Sequence, residues 1–162
     1  MAKSKGKAKE KDVSGPRPLE NRRARYDYEF LETFEAGIAL VGSEVKSIFR
    51  GKANMTDAFC RVDGGELWLY ELDVEPYDHA SAFTPPRRRP RKLLMHRREI
   101  DLLDRKSSEK GLALIPSRIY FKNGKVKVQV ALGRGKREYD KRESIAKREE
   151  RREIERARTY RR

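Results

Sequence analysis

One cysteine, two histidines and one tryptophan stand among 162 residues, and no apolar run approaches the ~20 residues that a membrane-spanning helix needs. The lone Cys60 excludes an internal disulfide and a thiolate zinc cluster. His79 and His96 form no HExxH pattern and no zinc-like spacing with Cys60, so no metal site is expected. The stretch Met1-Ala2-Lys3-Ser4-Lys5-Gly6-Lys7 lacks the apolar segment of a signal peptide, which points to a soluble, non-secreted, cytoplasmic protein with no membrane partner. Gly133-Arg134-Gly135-Lys136-Arg137 fails as a phosphate-binding loop. Position 130 is Val where Gly is needed, and position 137 is Arg where Ser or Thr would hold Mg²⁺. No pair of carboxylates has a spacing that singles it out for acid–base work, and Cys60 lies in a strand-like segment as a small apolar residue. Neither catalytic residues nor a cofactor are expected.

Charge, by contrast, is abundant. Charged residues make up 41% of the chain against a usual ~25%, so a modest core shares the sequence with solvated segments. Forty Lys and Arg against 26 Asp and Glu leave a net charge of +14. Residues 1–25 carry nine basic and three acidic side chains, residues 26–133 carry 18 and 16, and residues 134–162 carry 13 and seven. Within the middle block, residues 87–98 hold seven basic residues (Arg87, Arg88, Arg89, Arg91, Lys92, Arg97, Arg98) and no acid. A nearly neutral core with three basic appendages is the electrostatic footprint of a nucleic-acid binder. No basic segment has the broad apolar face of a membrane-surface helix.

The core reads as β. In residues 117–132, Asn123-Gly124 supplies the two positive-φ positions of a type I′ hairpin. That turn places Phe121 opposite Val126 and Ile119 opposite Val128, with Val130 and Leu132 on the same face. The other face carries Arg118, Tyr120, Lys122, Lys125 and Lys127. Asp63-Gly64-Gly65-Glu66 marks a second hairpin pairing Phe59 with Tyr70 and Val62 with Leu67. Residues 26–40, rich in Tyr, Phe, Thr and Ile, predict one or two strands broken near Gly37. Two short helices are expected, over 43–50 with Ser43 as N-cap and Gly51 as stop, and over 95–106 with Ile100 and Leu103 inward. Short antiparallel strands with two inserted helices predict a mainly β fold, a small OB-like β-barrel.

The ends differ from the core. Residues 1–20 cannot bury enough apolar surface to offset their ordering entropy and read as a disordered basic arm. Residues 136–162 contain neither Gly nor Pro and are rich in helix formers. Ile145, Ala146, Ile154, Ala157 and Tyr160 make no stripe wide enough to dock on the core, so this basic tail is expected to be disordered, or helical on binding. The expected organisation is an arm over 1–20, a barrel over 21–133 and a tail over 134–162.

Several strings, in order, resemble the motifs of one bacterial family. They are Asn21-Arg22-Arg23-Ala24-Arg25-Tyr26-Asp27-Tyr28, Phe34-Glu35-Ala36-Gly37-Ile38-Ala39-Leu40, Glu44-Val45-Lys46-Ser47, Gly51-Lys52-Ala53-Asn54, Arg91-Lys92-Leu93-Leu94, Gly135-Lys136-Arg137 and Asp140-Lys141-Arg142. The chain resembles SmpB, the SsrA (tmRNA)-binding family, over about residues 20–142. The resemblance implies a non-enzymatic, monomeric adaptor. Such an adaptor binds the tRNA-like domain of tmRNA and delivers it to stalled 70S ribosomes for trans-translation, its tail entering the vacant mRNA channel. It further implies that Asn21, Arg23, Arg25, Tyr28, Glu35, Leu94 and Lys127 belong to the tmRNA-contacting surface. Gly135, Lys136, Arg137, Tyr139, Asp140, Lys141 and Arg142 would meet 16S rRNA at the decoding centre. One stretch departs from the family pattern: in Lys46-Ser47-Ile48-Phe49-Arg50-Gly51-Lys52 the usual arginine is displaced by one position, to Arg50. A structural ribosomal protein or a general RNA-binding module is the alternative reading of the same charge.

Overall fold

The computed structural model describes residues 15–80, 83–109 and 111–160. In chain order the elements are β1 (Leu19–Glu20), α1 (Arg22–Asp27), β2 (Tyr28–Ile38), α2 (Gly42–Phe49), β3 (Ala53–Asn54), β4 (Phe59–Asp63), β5 (Glu66–Tyr70), β6 (Asp73–Val74), β7 (Arg91–Leu94), α3 (Arg97–Ser107), β8 (Leu112–Lys122), β9 (Lys125–Gly135) and α4 (Glu138–Tyr160). The strands run antiparallel in the order β1-β8-β4-β5-β7-β2-β9, and β9 pairs back onto β8, closing an OB-like barrel. A short β3-β6 pair stands apart.

Both expected hairpins are present. Asn123 and Gly124 take φ values of 51° and 72°, and Phe121 faces Val126 and Ile119 faces Val128 across the ladder. Phe59 faces Tyr70 and Val62 faces Leu67 in the second hairpin. Alternation then sends Ile119, Phe121, Val126, Val128, Val130 and Leu132 into a core shared with Leu67, Leu69, Leu72 and Leu93. At roughly 25 cal/mol per Å² of apolar area removed from water, this continuous cluster is the main stabilising term. Helix α3 adds Ile100 and Leu103 to it, and Cys60 is buried there, where burial pushes its thiol pKa up.

Local details differ from the sequence reading. Residues 22–27 form a helix, so Tyr26 is not in a strand; Asn21 caps that helix by accepting from the Ala24 N–H at 3.0 Å. β2 runs unbroken through Gly37, with its irregularity between Phe30 and Glu32. In α2 the cap is not Ser43. Glu44 Oε2 accepts from the Val41 N–H at 3.0 Å, which moves the start one residue earlier, while Gly51 stops the helix at φ 74°. Of the expected arm, residues 1–14 lie outside the described residues. Leu19 and Glu20 pair with Ile119 and Arg118, because the open edge of β8 offers them backbone partners. The tail, expected as disordered or helical on binding, is an exposed helix over Glu138–Tyr160; helix propensity without Gly or Pro accounts for it.

Candidate nucleic-acid interface

At the turn end of the β8–β9 hairpin the outer barrel wall lines up four strands. Tyr120 on β8 faces Lys127 on β9, Lys127 faces Gly37 on β2, and Gly37 faces Leu94 on β7. The next row inward runs Arg118, Gln129 and Glu35. Each strand turns its apolar alternate side chain to the core, which leaves these residues outward by parity. Leu94 is 53% exposed, an apolar side chain in the same row as Lys127. A Cβ at Gly37 would come within 3.3 Å of the Leu94 Cβ, so glycine lets Leu94 lie close over β2. Beside it a groove of about 350 Å³ is lined by Gly37, Ile38, Leu40, Val45, Leu94 and Lys127 among others.

Glu35 is held in place on this wall. Its carboxylate accepts from the Tyr120 hydroxyl and, at 3.3 Å, from Lys122 Nζ. The Tyr120 hydroxyl is the largest influence and, with Lys122 and the nearby Lys127, holds the Glu35 pKa below the usual carboxylate value. Lys122 and Lys125 face each other across the turn, and of the two Lys122 is paired with the Glu35 carboxylate at 3.3 Å. An ionised, oriented carboxylate among lysines can accept hydrogen bonds from base edges or 2′-hydroxyls while the lysines attract phosphate.

A second group lies at the opposite end of β2. Tyr28 pairs with Gly135 there, about 23 Å along the strand from Glu35 at ~3.3 Å per residue. Arg23 and Arg25 are exposed on α1 and lean on Asp27 and Glu20 at 3.5 and 3.7 Å. The tail leaves from this corner. The Lys136 N–H donates to the Asp27 carbonyl at 2.8 Å and its Nζ donates to the Arg25 carbonyl at 3.1 Å. Lys141 reaches Asp27 at 3.4 Å and lies over the Tyr26 ring at 5.7 Å. Asp140 Oδ2 accepts from the Arg137 N–H at 3.4 Å in the first turn of α4, and Arg137 and Arg142 are exposed. Tyr139 lies on the same first turn.

The model of the SmpB protein family matches residues 18–160 of this sequence. The chain belongs to the SmpB family. An SsrA-binding protein of Desulforudis audaxviator is 56% identical over 138 residues, covering 85% of this chain and 90% of that protein. The SsrA-binding protein of Thermobifida fusca is 49% identical over 152 residues, covering 93% and 95%. A chain of a solved structure described as "tmRNA-SmpB: a journey to the center of the bacterial ribosome" superposes with a TM-score of 0.65 at 49% identity, over 79% of this chain and 94% of that one.

Within this SmpB fold the expected tmRNA-facing residues fall into two groups, Glu35, Leu94 and Lys127 at one end of β2 and Arg23, Arg25 and Tyr28 at the other. Asn21 belongs to neither surface. It is buried, and its amide nitrogen donates to the Met55 and Pro116 carbonyls, both at 3.0 Å, so it positions α1 rather than facing solvent. The central basic run is also not the free appendage that the sequence suggested. Arg87 pairs with Asp73, Arg88 with Glu71 and Asp57, Arg89 and Arg91 with Glu44, Lys92 with Glu66, and Arg97 with Asp101. Apart from Asp101, which is an i,i+4 neighbour of Arg97, those acids lie 14 to 47 residues away, beyond any local charge count. Tyr120 and Lys122 complete the Glu35 site; outward parity on the hairpin was their only sequence signal.

Proposed function

We propose that this protein is an RNA-binding adaptor. It binds the tRNA-like domain of tmRNA and delivers it to stalled ribosomes for trans-translation. The observation that carries the reading is the Glu35 site: an oriented carboxylate, two lysines and an exposed leucine on one barrel wall of a chain whose relatives are named for binding SsrA. Lys127 and Lys122 supply phosphate attraction, Glu35 accepts from base or sugar donors, and Leu94 packs on an unstacked base. Arg23, Arg25 and Tyr28 extend the contact along β2 toward the tail, with Asn21 supporting them from beneath. Gly135, Lys136, Arg137, Tyr139, Asp140, Lys141 and Arg142 form the junction that meets 16S rRNA at the decoding centre, and α4 occupies the vacant mRNA channel. The protein works by binding alone, in the cytoplasm, as a monomer and without catalysis.

The test is to sequence the RNA that co-purifies with the protein from growing cells and to measure its affinity for tmRNA across a salt series. Enrichment of tmRNA is expected, with log K falling by about 0.7–0.9 per neutralised phosphate against log salt. Stoichiometric association with ribosomal subunits and no tmRNA would favour a ribosomal protein instead.

A further inference from the structure

Helix α2 adjoins the groove beside Leu94 through Val45, one of the groove's lining residues. At about 100° per residue, Val45, Phe49, Lys46 and Arg50 succeed one another around one side of that helix. Each has a distinct role in the surface they make. Phe49 sets its ring edge-on to Phe121, with centroids 5.5 Å apart and planes at 82°, and still leaves 55% of itself exposed. Lys46 and Arg50 stand at i,i+4, where two like charges repel. Both approach Tyr77: the Lys46 Nζ is 5.3 Å from the ring centroid, the Arg50 guanidinium carbon is 4.8 Å from it, and an Arg50 N–H donates to the tyrosine hydroxyl at 3.4 Å. The π system of the ring attracts both cations and offsets part of their mutual repulsion.

Neither Lys46 nor Arg50 has a carboxylate partner among the described residues, in contrast to the arginines of residues 87–91. Lys52, at the start of the next turn of chain, touches Asp78 only at 3.9 Å, and His79 stands exposed with its ring edge-on to Tyr77. The surface therefore passes from the groove to an exposed aromatic ring and then to two exposed cations that have no carboxylate partner among the described residues. Stacking rings beside fixed cations are the means by which proteins hold an unpaired nucleotide and its phosphate. The displaced arginine gains its position from this arrangement: at position 50 it reaches Tyr77, and position 49 is left to a ring.

We propose that α2 carries an extension of the tmRNA surface, in which Phe49 stacks on an unpaired base of the tRNA-like domain and the Lys46–Tyr77–Arg50 clamp holds the adjoining phosphate. This rests on the tmRNA reading above, since the occupant is the same RNA, continued past the groove. Charge complementarity and continuity with that groove select RNA over an apolar partner.

The experiment uses the full-length protein and a transcribed tRNA-like domain, with affinity measured at several salt concentrations. Phe49→Leu keeps apolar bulk and removes the stacking face, so affinity should fall roughly five- to a hundredfold with the salt slope unchanged. The double variant Lys46→Gln/Arg50→Gln should weaken binding and flatten the salt slope by about 0.7–0.9 for each phosphate no longer neutralised. Tyr77→Phe retains the ring that both cations approach and should keep the parent slope. Thermal unfolding of each variant runs in parallel. If the parent binds and the double variant keeps both affinity and slope, the proposal is overturned, whatever happens to its melting temperature. A loss of affinity by the variants for 30S subunits alone overturns it equally. Should the parent itself fail to bind the tRNA-like domain, the underlying tmRNA reading fails first and the extension with it.

Discussion

Glu44 and Arg91 meet at 2.7 Å in a place where Arg91 has no exposed surface and Glu44 almost none. Arg89 closes the other side of the carboxylate at 2.6 Å, and Arg91 also donates to the carbonyls of Leu72, Arg87 and Arg89. This pair ties α2 to β7, and with them the groove that both elements line. Replacing Glu44 with Ala strands two arginines, one of them buried. Losing one partner of a buried pair costs about 3–5 kcal/mol, so denaturant unfolding should show a loss of that size.

The same carboxylate gives the fold an acid sensitivity. Burial would raise the Glu44 pKa, but hydrogen bonds from Arg89, the Val41 N–H and Arg91 outweigh it and hold it below the usual value. A folded-state pKa below the unfolded one contributes stability that is complete above about pH 4.3 and drains away as pH falls through the folded value. Glu44→Gln should be less stable than the parent at neutral pH, and its stability should fall less steeply as the solution is acidified below that point. Equilibrium unfolding at pH 7, 5 and 3 measures both slopes; parallel curves for the two proteins count against the assignment.

Glu35 and Asn21 were grouped together by resemblance, and the structure separates them. Glu35→Ala removes an exposed acceptor, so tmRNA affinity should drop on the order of ten- to a hundredfold, as for a charged hydrogen bond, with little change in melting temperature. Tyr120→Phe, which removes the hydroxyl orienting Glu35, should cause a smaller fall in the same direction. Parent-like binding by both variants removes this wall from the RNA surface.

For Asn21→Ala the order of effects reverses. The substitution deletes the α1 cap, worth about 0.5–2 kcal/mol, and leaves the Met55 and Pro116 carbonyls without the donor they now have. Stability should fall clearly, and tmRNA affinity measured well below the new melting temperature should stay within a few fold of the parent. A large affinity loss in a variant that is still folded would place Asn21 on the RNA.

What the sequence made legible was local. Asn123-Gly124 and Gly64-Gly65 specify their hairpins through backbone conformations that few other residues adopt, so register and core face followed from two residues each. Helix α1 was missed although Asn21 is a good cap, because Tyr26 and Tyr28 read as strand. The cap of α2 was misassigned because Glu44 serves it from inside the helix while also pairing with β7, a tertiary role that no window of sequence contains. The basic run at 87–98 misled largely for the same reason, most of its counter-charges arriving from α2, β5, β6 and the turns between them, with only Asp101 supplied locally by α3. The Glu35 site was legible by resemblance as scattered residues; only the pairing of β2 with β7 and β9 makes them one wall.

The tail separates the two jobs most sharply. Helix α4 follows the end of β9 at Gly135, is anchored by Lys136 and Lys141 on α1, and beyond that is exposed. A helix-prone, basic segment with little apolar surface gains fixed position when a partner supplies counter-charge and a confining wall. An mRNA channel emptied by a truncated message supplies both, and a channel still holding mRNA excludes it sterically. Deleting residues 143–162 should therefore leave the affinity for tmRNA within a few fold of the parent while abolishing peptide tagging on stalled ribosomes. Replacing Asp140-Lys141-Arg142 with alanines should act in the same direction, since it removes the Lys141 anchor to Asp27 and the Asp140 cap together. A gel-shift affinity beside a reconstituted tagging yield decides it. Tagging by the truncated protein at the parent's level, or a loss of tagging that merely follows a matching loss of tmRNA affinity, would falsify the division of labour between barrel and tail.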